Sequence, residues 1–295
     1  MAQIFQNIRN DIWNVIGDES RLVGKLFAKI EQKTGKSRYQ AAVMLAIVIC
    51  VLLIVSPGAA LLCNCICIGY PAMKTLIEMQ SSENVNCKQW MSYWVIFGFF
   101  RLVDYFAECI SFIIPIYWPL KCIFFVWLFT PSCLGAATLY ENDIWNVIGD
   151  ESRLVGKLFA KIEQKTGKSR YQAAVMLAIV ICVLLIVSPG AGLLCNCICV
   201  GYPAMKTLIE MQSSENVNCK QWMTYWVIFG FFRLVDYFAE CISFIIPIYW
   251  PLKCIFFVWL FTPSCLGGAT LYEKFFQSRY SEFISGCTTA VEITT

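Results

Sequence analysis

Residues 10–141 recur as residues 142–273 without a gap, at an offset of 132 positions. The two copies differ only as Ala60/Gly192, Ile68/Val200, Ser92/Thr224 and Ala136/Gly268, each a mild change. So long a period marks a doubled domain and not a solenoid of short repeats. One copy must therefore make physical sense alone, beside a near-identical neighbour. The expected divisions are an extension at 1–9, domains at 10–141 and 142–273, and a tail at 274–295.

The solvent each copy expects follows from composition. Apolar residues make up 58% of the chain and charged residues 15%, against about 45–50% and about 25% in ordinary soluble domains. An integral membrane protein is the first reading. The formal net charge of +3 is too small to argue for nucleic acid. Residues 1–40 are polar and charged, with no apolar core of the leader type, so insertion is expected to rely on internal segments. Histidine is absent, which removes imidazole acid/base catalysis, Ser-His triads and histidine metal sites. Of 17 cysteines, eight lie in each copy, mostly inside apolar runs, and Cys287 is left over. Buried cysteine behaves as a small hydrophobe, so packing is the expected role. There is no Asn-x-Ser/Thr glycosylation acceptor.

Residues 17–38 have apolar Leu22, Val23, Leu26, Phe27 and Ile30 at helical spacing, opposite Lys25, Lys29 and Lys33. An amphipathic helix is expected, capped by Asp18, with Lys36 and Arg38 at its negative end. It suits an anionic membrane surface or packing on neighbours. Residues 41–73 are apolar but interrupted by Ser56-Pro57-Gly58, repeated at Pro189 and Gly190. Proline disfavours helical geometry before it and glycine frees the turn, predicting a hairpin of helices at about 41–55 and 59–73. Fifteen residues reach only about 22 Å against a hydrocarbon core of about 30 Å, so a short hairpin is expected, with full crossing by local bilayer thinning as the alternative. Residues 74–89 form the polar break. A second hairpin follows, with a long arm at 90–114, an interruption at Pro115–Pro119 and a short arm to Pro131. Trp90, Tyr93, Trp94, Tyr117 and Trp118 are expected near headgroups. An even number of arms returns the chain to its starting side, so both copies share one orientation, unlike inverted-repeat transporters.

Within the long arm, Arg101, Asp104 and Glu108 share one helical face, and Arg233, Asp236 and Glu240 repeat them. Unpaired charges in hydrocarbon cost about 2.5–3.5 kcal/mol each on insertion scales, so they must pair or meet water. Arg101 with Asp104 is the local pair, and Lys121 (Lys253 in copy two) is the expected partner from the returning arm. A structural charge clasp between arms or protomers is favoured over a proton or ion path, since no histidine relay exists. In Cys63-Asn-Cys65-Ile-Cys67, Cys63 and Cys67 share a face and Cys65 points away. Packing is expected, with S-acylation at the cytosolic interface as the alternative and a metal site disfavoured by the mid-hairpin position. No nucleophile, phosphate-cradling or paired-carboxylate motif appears outside the charge cluster. No enzyme and no cofactor is expected.

Residues 69–108 resemble the receptor expression-enhancing protein family, which includes the deleted-in-polyposis protein and yeast and plant relatives. The resemblance rests on Tyr70-Pro71, Thr75, Gln89-Trp90, Tyr93-Trp94, Asp104 and Glu108. In copy two it rests on Tyr202-Pro203, Trp222 and Tyr225-Trp226. Leu120-Lys121-Cys122, Trp127, Pro131, Gly135 and Tyr140 also match. The resemblance implies a multi-pass or hairpin-inserted endoplasmic-reticulum protein with two hairpins per copy, cytosolic termini and an amphipathic helix after them. It further implies self-association and curvature from greater occupancy of the cytosolic leaflet. Two copies depart from the usual one, making association intramolecular, and the family's Ile-Arg-Pro ending is missing. In copy two's first helix Leu154, Val155, Leu158, Phe159 and Ile162 stand in for the segment copy one lacks; the tail offers Tyr272, Phe276, Tyr280 and Phe283.

The expectation is an all-α membrane protein that shapes tubular endoplasmic reticulum by hairpin wedging and self-association, within the tandem and between chains. Its partners are the lipid bilayer and other shaping proteins or membrane cargo, with no nucleic acid. A trafficking adaptor for other membrane proteins is the alternative, and a channel or transporter a lesser one.

Overall fold

A computed structural model describes residues 22–79, 87–130, 170–212, 219–262 and 267–277, together with residues 13, 17 and 265. Every regular element among the described residues is helical. Copy one holds α1 (Leu22–Thr34), α2 (Arg38–Val55), α3 (Ala59–Glu78), α4 (Cys87–Val103), a 3-10 turn (Asp104–Phe106), α5 (Ala107–Ile113) and α6 (Tyr117–Phe129). Copy two holds α7 (Arg170–Val187), α8 (Ala191–Gln212), α9 (Cys219–Val235), a 3-10 turn (Asp236–Phe238), α10 (Ala239–Ile245) and α11 (Tyr249–Phe261). The short α12 (Gly267–Leu271) and a π-helical turn (Tyr272–Gln277) follow.

The amphipathic helix expected over 17–38 ends before Arg38. Gly35, at φ +66°, ends α1 in the left-handed region that side chains avoid. Ser37 then caps α2: its hydroxyl accepts from the Gln40 backbone N–H while the Gln40 side chain accepts from the Ser37 N–H. Arg38 therefore opens α2 instead of closing α1, and bonds Glu31 at 2.8 Å. The Asp18 cap, the corresponding helix of copy two, and Tyr280 and Phe283 lie outside the described residues.

The first hairpin turns where expected. Ser56 ends α2, its hydroxyl accepts from the Gly58 N–H at 3.1 Å, and its carbonyl accepts from the Ala59 N–H at 3.0 Å. Ser188 and Gly190 repeat this at 3.1 Å. The arms, however, are longer than expected: α2 has 18 residues and α3 has 20. They reach about 27 and 30 Å, so the short-hairpin expectation fails here. The reason is local: the Ser37 cap starts α2 early, and α3 continues through Pro71. Arg38–Val55, Ala59–Glu78 and Ala191–Met211 are long and apolar enough to cross a membrane. α2 leaves Ile47, Val51, Ile54 and Val55 exposed, as a lipid-facing helix does.

Two compact units form, Met1–Tyr70 with Phe106–Ala136, and Pro71–Tyr105 with Ala137–Thr295. In the first, α1 packs on α2, and α2 and α5 pack on α6. Leu53, Cys63, Cys67, Phe125 and Leu128 are buried. In the second, α4 of copy one packs on α8 and α9 of copy two, α8 packs on α11, and α9 packs on α12. Gln221 ties the last contact: its amide donates to the Leu260 carbonyl at 2.8 Å, and its carbonyl accepts from the Ala269 N–H at 2.7 Å. Two of the four differences between copies fall at tight places. A methyl group on Gly192 would lie 3.0 Å from the Trp250 ring, and one on Gly268 would lie 2.7 Å from the Gln221 main-chain carbonyl oxygen.

Candidate functional site: a reciprocal interface between the copies

The second compact unit joins equivalent helices of the two copies, α4 and α9, and their contacts come in reciprocal pairs. Ser92 lies 3.8 Å from the Met211 sulfur and Thr224 lies 3.6 Å from that of Met79. Arg101 Nη2 donates to Asp236 at 3.2 Å, and Arg233 Nη2 donates to Asp104 at 3.3 Å. Cys87 and Cys219, equivalent residues, are disulfide-bonded. Residue i meeting j while the equivalent of j meets the equivalent of i is the signature of an isologous, twofold interface. Close approach is allowed by Gly98, where a Cβ would lie 2.7 Å from the Trp226 ring.

This pairing corrects the local Arg101–Asp104 pair. The α-helix ends at Val103 and Asp104 opens a 3-10 turn, and both side chains are buried toward the other copy. Each arginine pairs with the aspartate of the other copy instead. Asp236 also accepts from Lys253 at 2.6 Å and from the Tyr249 hydroxyl at 2.8 Å. Lys253 also reaches Asn196 at 3.4 Å, and Lys121 reaches Asn64 at 3.4 Å. Arg101, Asp104, Arg233 and Asp236 are each 8% exposed and Lys253 is 3% exposed, so these charges are held away from water by protein. Glu108 and Glu240 are exposed and outside the cluster. The 3-10 turn advances the register by about 120° per residue instead of 100°, rotating them off the shared face.

The aromatic residues also differ from expectation. Trp90, Tyr93 and Trp94 are buried, with Tyr93 and Trp94 fully so, and do not form a headgroup belt. Trp94 Nε1 donates to the Thr75 hydroxyl at 2.9 Å, and that hydroxyl donates to the Pro71 carbonyl at 2.7 Å. Trp226 donates to Thr207 at 3.0 Å in copy two. The Tyr225 hydroxyl donates to the Cys199 carbonyl. Tyr70 packs on Phe129 and Tyr202 on Phe261, each at 5.0 Å between ring centroids. The proline, threonine and tryptophan of the motif thus form one hydrogen-bonded chain that satisfies the indole in a dry interior. Farther along, Lys220 stands over the Tyr272 ring at 5.8 Å, and burial raises the Tyr272 phenol above its ordinary value.

Of the acylation candidates, Cys63 and Cys67 are fully buried, their sulfurs 4.0 Å apart, so neither is open to an acyl donor; Cys65 is exposed. Among the described residues no group of three or more His, Cys, Asp or Glu is arranged to hold a metal ion. The disulfide was missed by reasoning from buried cysteines. The available signal was position: Cys87 lies within the polar break, whereas most other cysteines sit in apolar runs.

Residues 71–146 and 201–279 match the sequence profile of the TB2/DP1, HVA22 family, just over half of the chain and once in each copy. The chain belongs to the TB2/DP1, HVA22 family. Receptor expression-enhancing protein 6 of Danio rerio is 33% identical over 143 residues, 48% of this chain and 68% of the relative. A Protein YOP1 homolog of Plasmodium berghei is 32% identical over 112 residues, 38% of this chain and 50% of the relative. Protein yop1 of Schizosaccharomyces pombe is 26% identical over 113 residues, 38% of this chain and 62% of the relative. The matches with the last two span less than two thirds of those relatives. No solved structure matches. For a TB2/DP1, HVA22 protein, Pro71, Trp94 and Asp104 are therefore motif residues with visible packing roles. Pro71 and Trp94 belong to the hydrogen-bonded chain inside the bundle, and Asp104 belongs to the exchange between copies.

Proposed function

We propose that this protein shapes and stabilises tubular endoplasmic-reticulum membrane, its hairpins wedging the bilayer while its two copies are held together as a built-in pair. The observation that carries this reading is the shortness of the second hairpin's returning arm. α6 and α11 have 13 residues each, about 20 Å of helix against a hydrocarbon core of about 30 Å. An arm of that length occupies one leaflet more than the other, and unequal occupancy bends a bilayer. The Arg101–Asp236 and Arg233–Asp104 exchanges support a clasp role for the cluster, since they spend the intramembrane charges on joining the copies. Cytosolic termini, with both copies in the same orientation, complete the proposal.

The test is reconstitution of purified protein into large liposomes at rising protein density. Tubules or small vesicles seen by electron microscopy are the expected result; liposomes that stay large and round at high density overturn it. A second reading, a trafficking adaptor, draws on the zebrafish relative, whose name speaks of enhancing receptor expression. Surface delivery of a membrane cargo that survives loss of tubulation would favour it.

A further inference from the structure

The charged exchanges hold α4 to α9 inside the bundle, and a second linkage holds the same helices at their first residues. Cys87 opens α4 and Cys219 opens α9, 132 positions apart and thus equivalent. Their Cα atoms are 6.4 Å apart, inside the range a disulfide spans without moving backbone. Arg101 lies fourteen residues further along α4, about 21 Å away. The pair is therefore fastened by ions at one end and by a covalent bond at the other.

The chemistry around the covalent end differs from that of the other cysteines. Residues 74–89 are the polar break of copy one and residues 206–221 that of copy two, so Cys87 and Cys219 lie within water-compatible sequence. Cys63, Cys67, Cys122, Cys195, Cys199 and Cys254 are buried in apolar helices, where a soluble thiol does not travel. Cys87 and Cys219 are themselves only 5% and 8% exposed, with the Met91 sulfur 3.3 Å from that of Cys87. Exchange at this bond therefore requires the ends of α4 and α9 to part, whichever side of the membrane the polar breaks face.

We propose that Cys87–Cys219 is a thiol-exchangeable clasp that sets whether the polar ends of the paired copies are locked or free. In opening, a small thiolate attacks one sulfur and releases the other cysteine as thiolate, leaving a mixed disulfide. A second small thiolate then displaces the remaining cysteine. The protein disulfide gains two electrons and, with two protons, becomes two thiols, while two small thiols become one small disulfide. Closing is the reverse, with a low-molecular-weight disulfide such as oxidised glutathione as oxidant. Reduction frees one end only, because the Arg101–Asp236 and Arg233–Asp104 exchanges contain no sulfur. This inference does not depend on the membrane-shaping reading, and its experiment does not measure curvature.

The experiment uses the full chain in membranes, with a protease recognition sequence inserted between residues 141 and 142. Samples are equilibrated in glutathione buffers of graded poise, quenched with N-ethylmaleimide, cleaved and run on non-reducing denaturing gels. The halves should stay joined at oxidising poise and separate at reducing poise, each tenfold change in the joined-to-separated ratio spanning about 30 mV. Cys87→Ser should separate at every poise, and Cys122→Ser should titrate like the parent. On the uninterrupted chain, maleimide–polyethylene glycol labelling should count two additional thiols after reduction. Halves that separate at oxidising poise, that stay joined across the whole series, or that run as a species larger than one chain overturn the proposal.

Discussion

Asp236 draws three donors to one buried carboxylate. Arg101, Lys253 and Tyr249 all donate to it, so removing Arg101 leaves the carboxylate paired, whereas removing the carboxylate strands buried cations. Breaking a buried ion pair costs about 3–5 kcal/mol through the uncompensated charge. Asp236→Ala is therefore expected to lower the unfolding temperature in detergent more than Arg101→Ala does. The double exchange Arg101→Asp with Asp236→Arg should recover part of what Arg101→Asp alone loses; equal instability of the single and double variants would count against the pairing. Gly98 makes a second prediction at this scale. Its absent Cβ leaves room for the Trp226 ring, 2.7 Å from where that atom would stand. Overpacking typically costs about 1–3 kcal/mol, so Gly98→Ala should be measurably less stable, while Gly69→Ala, with nothing within 4 Å, should not suffer this clash.

Helices in this protein begin and end for reasons found in three or four residues. Gly35 ends α1 at positive φ and Ser37 starts α2 with a reciprocal cap. Replacing Ser37 by alanine should cost about 1 kcal/mol through the lost cap, read as a lower unfolding temperature. Gly35→Ala should add a penalty of about 1–2 kcal/mol for the left-handed backbone. The returning arms matter in a different way. Lengthening α6 and α11 by seven apolar residues each would extend them by about 10 Å to a full crossing. If their shortness supplies the wedge, tubule yield from liposomes should fall sharply while helix content is kept; unchanged tubulation would remove the observation on which the shaping proposal stands.

For the whole molecule, duplication changes concentration more than contacts. Linking two binding modules sets their effective concentration by the tether, in the millimolar range for short linkers. A chain lacking residues 142–273 retains Arg101, Asp104 and Cys87 and would have to find them in a second chain. Such a chain should tubulate liposomes only at protein densities about tenfold or more above those the doubled chain needs, with cross-linking to homodimers rising over the same range. Equal potency per chain would mean that intramolecular pairing contributes nothing to shaping.

Much of this architecture was legible in the residues. The duplication is read directly from the 132-residue offset, and the helical class, the Ser56-Pro57-Gly58 turn and the short arm after Pro119 follow from patterns within some twenty positions, where turn geometry and hydrophobic length act locally. The need of Arg101 and Asp104 for partners was equally plain, because hydrocarbon penalises charge wherever the helix sits. Tertiary structure chose the partners. In a near-perfect repeat, Asp104 and Asp236 carry the same sequence context, so nothing along the chain distinguishes pairing within a copy from pairing between copies. The absent side chain of Gly98 decides it, by letting α4 and α9 approach closely enough for each arginine to reach the other copy's aspartate.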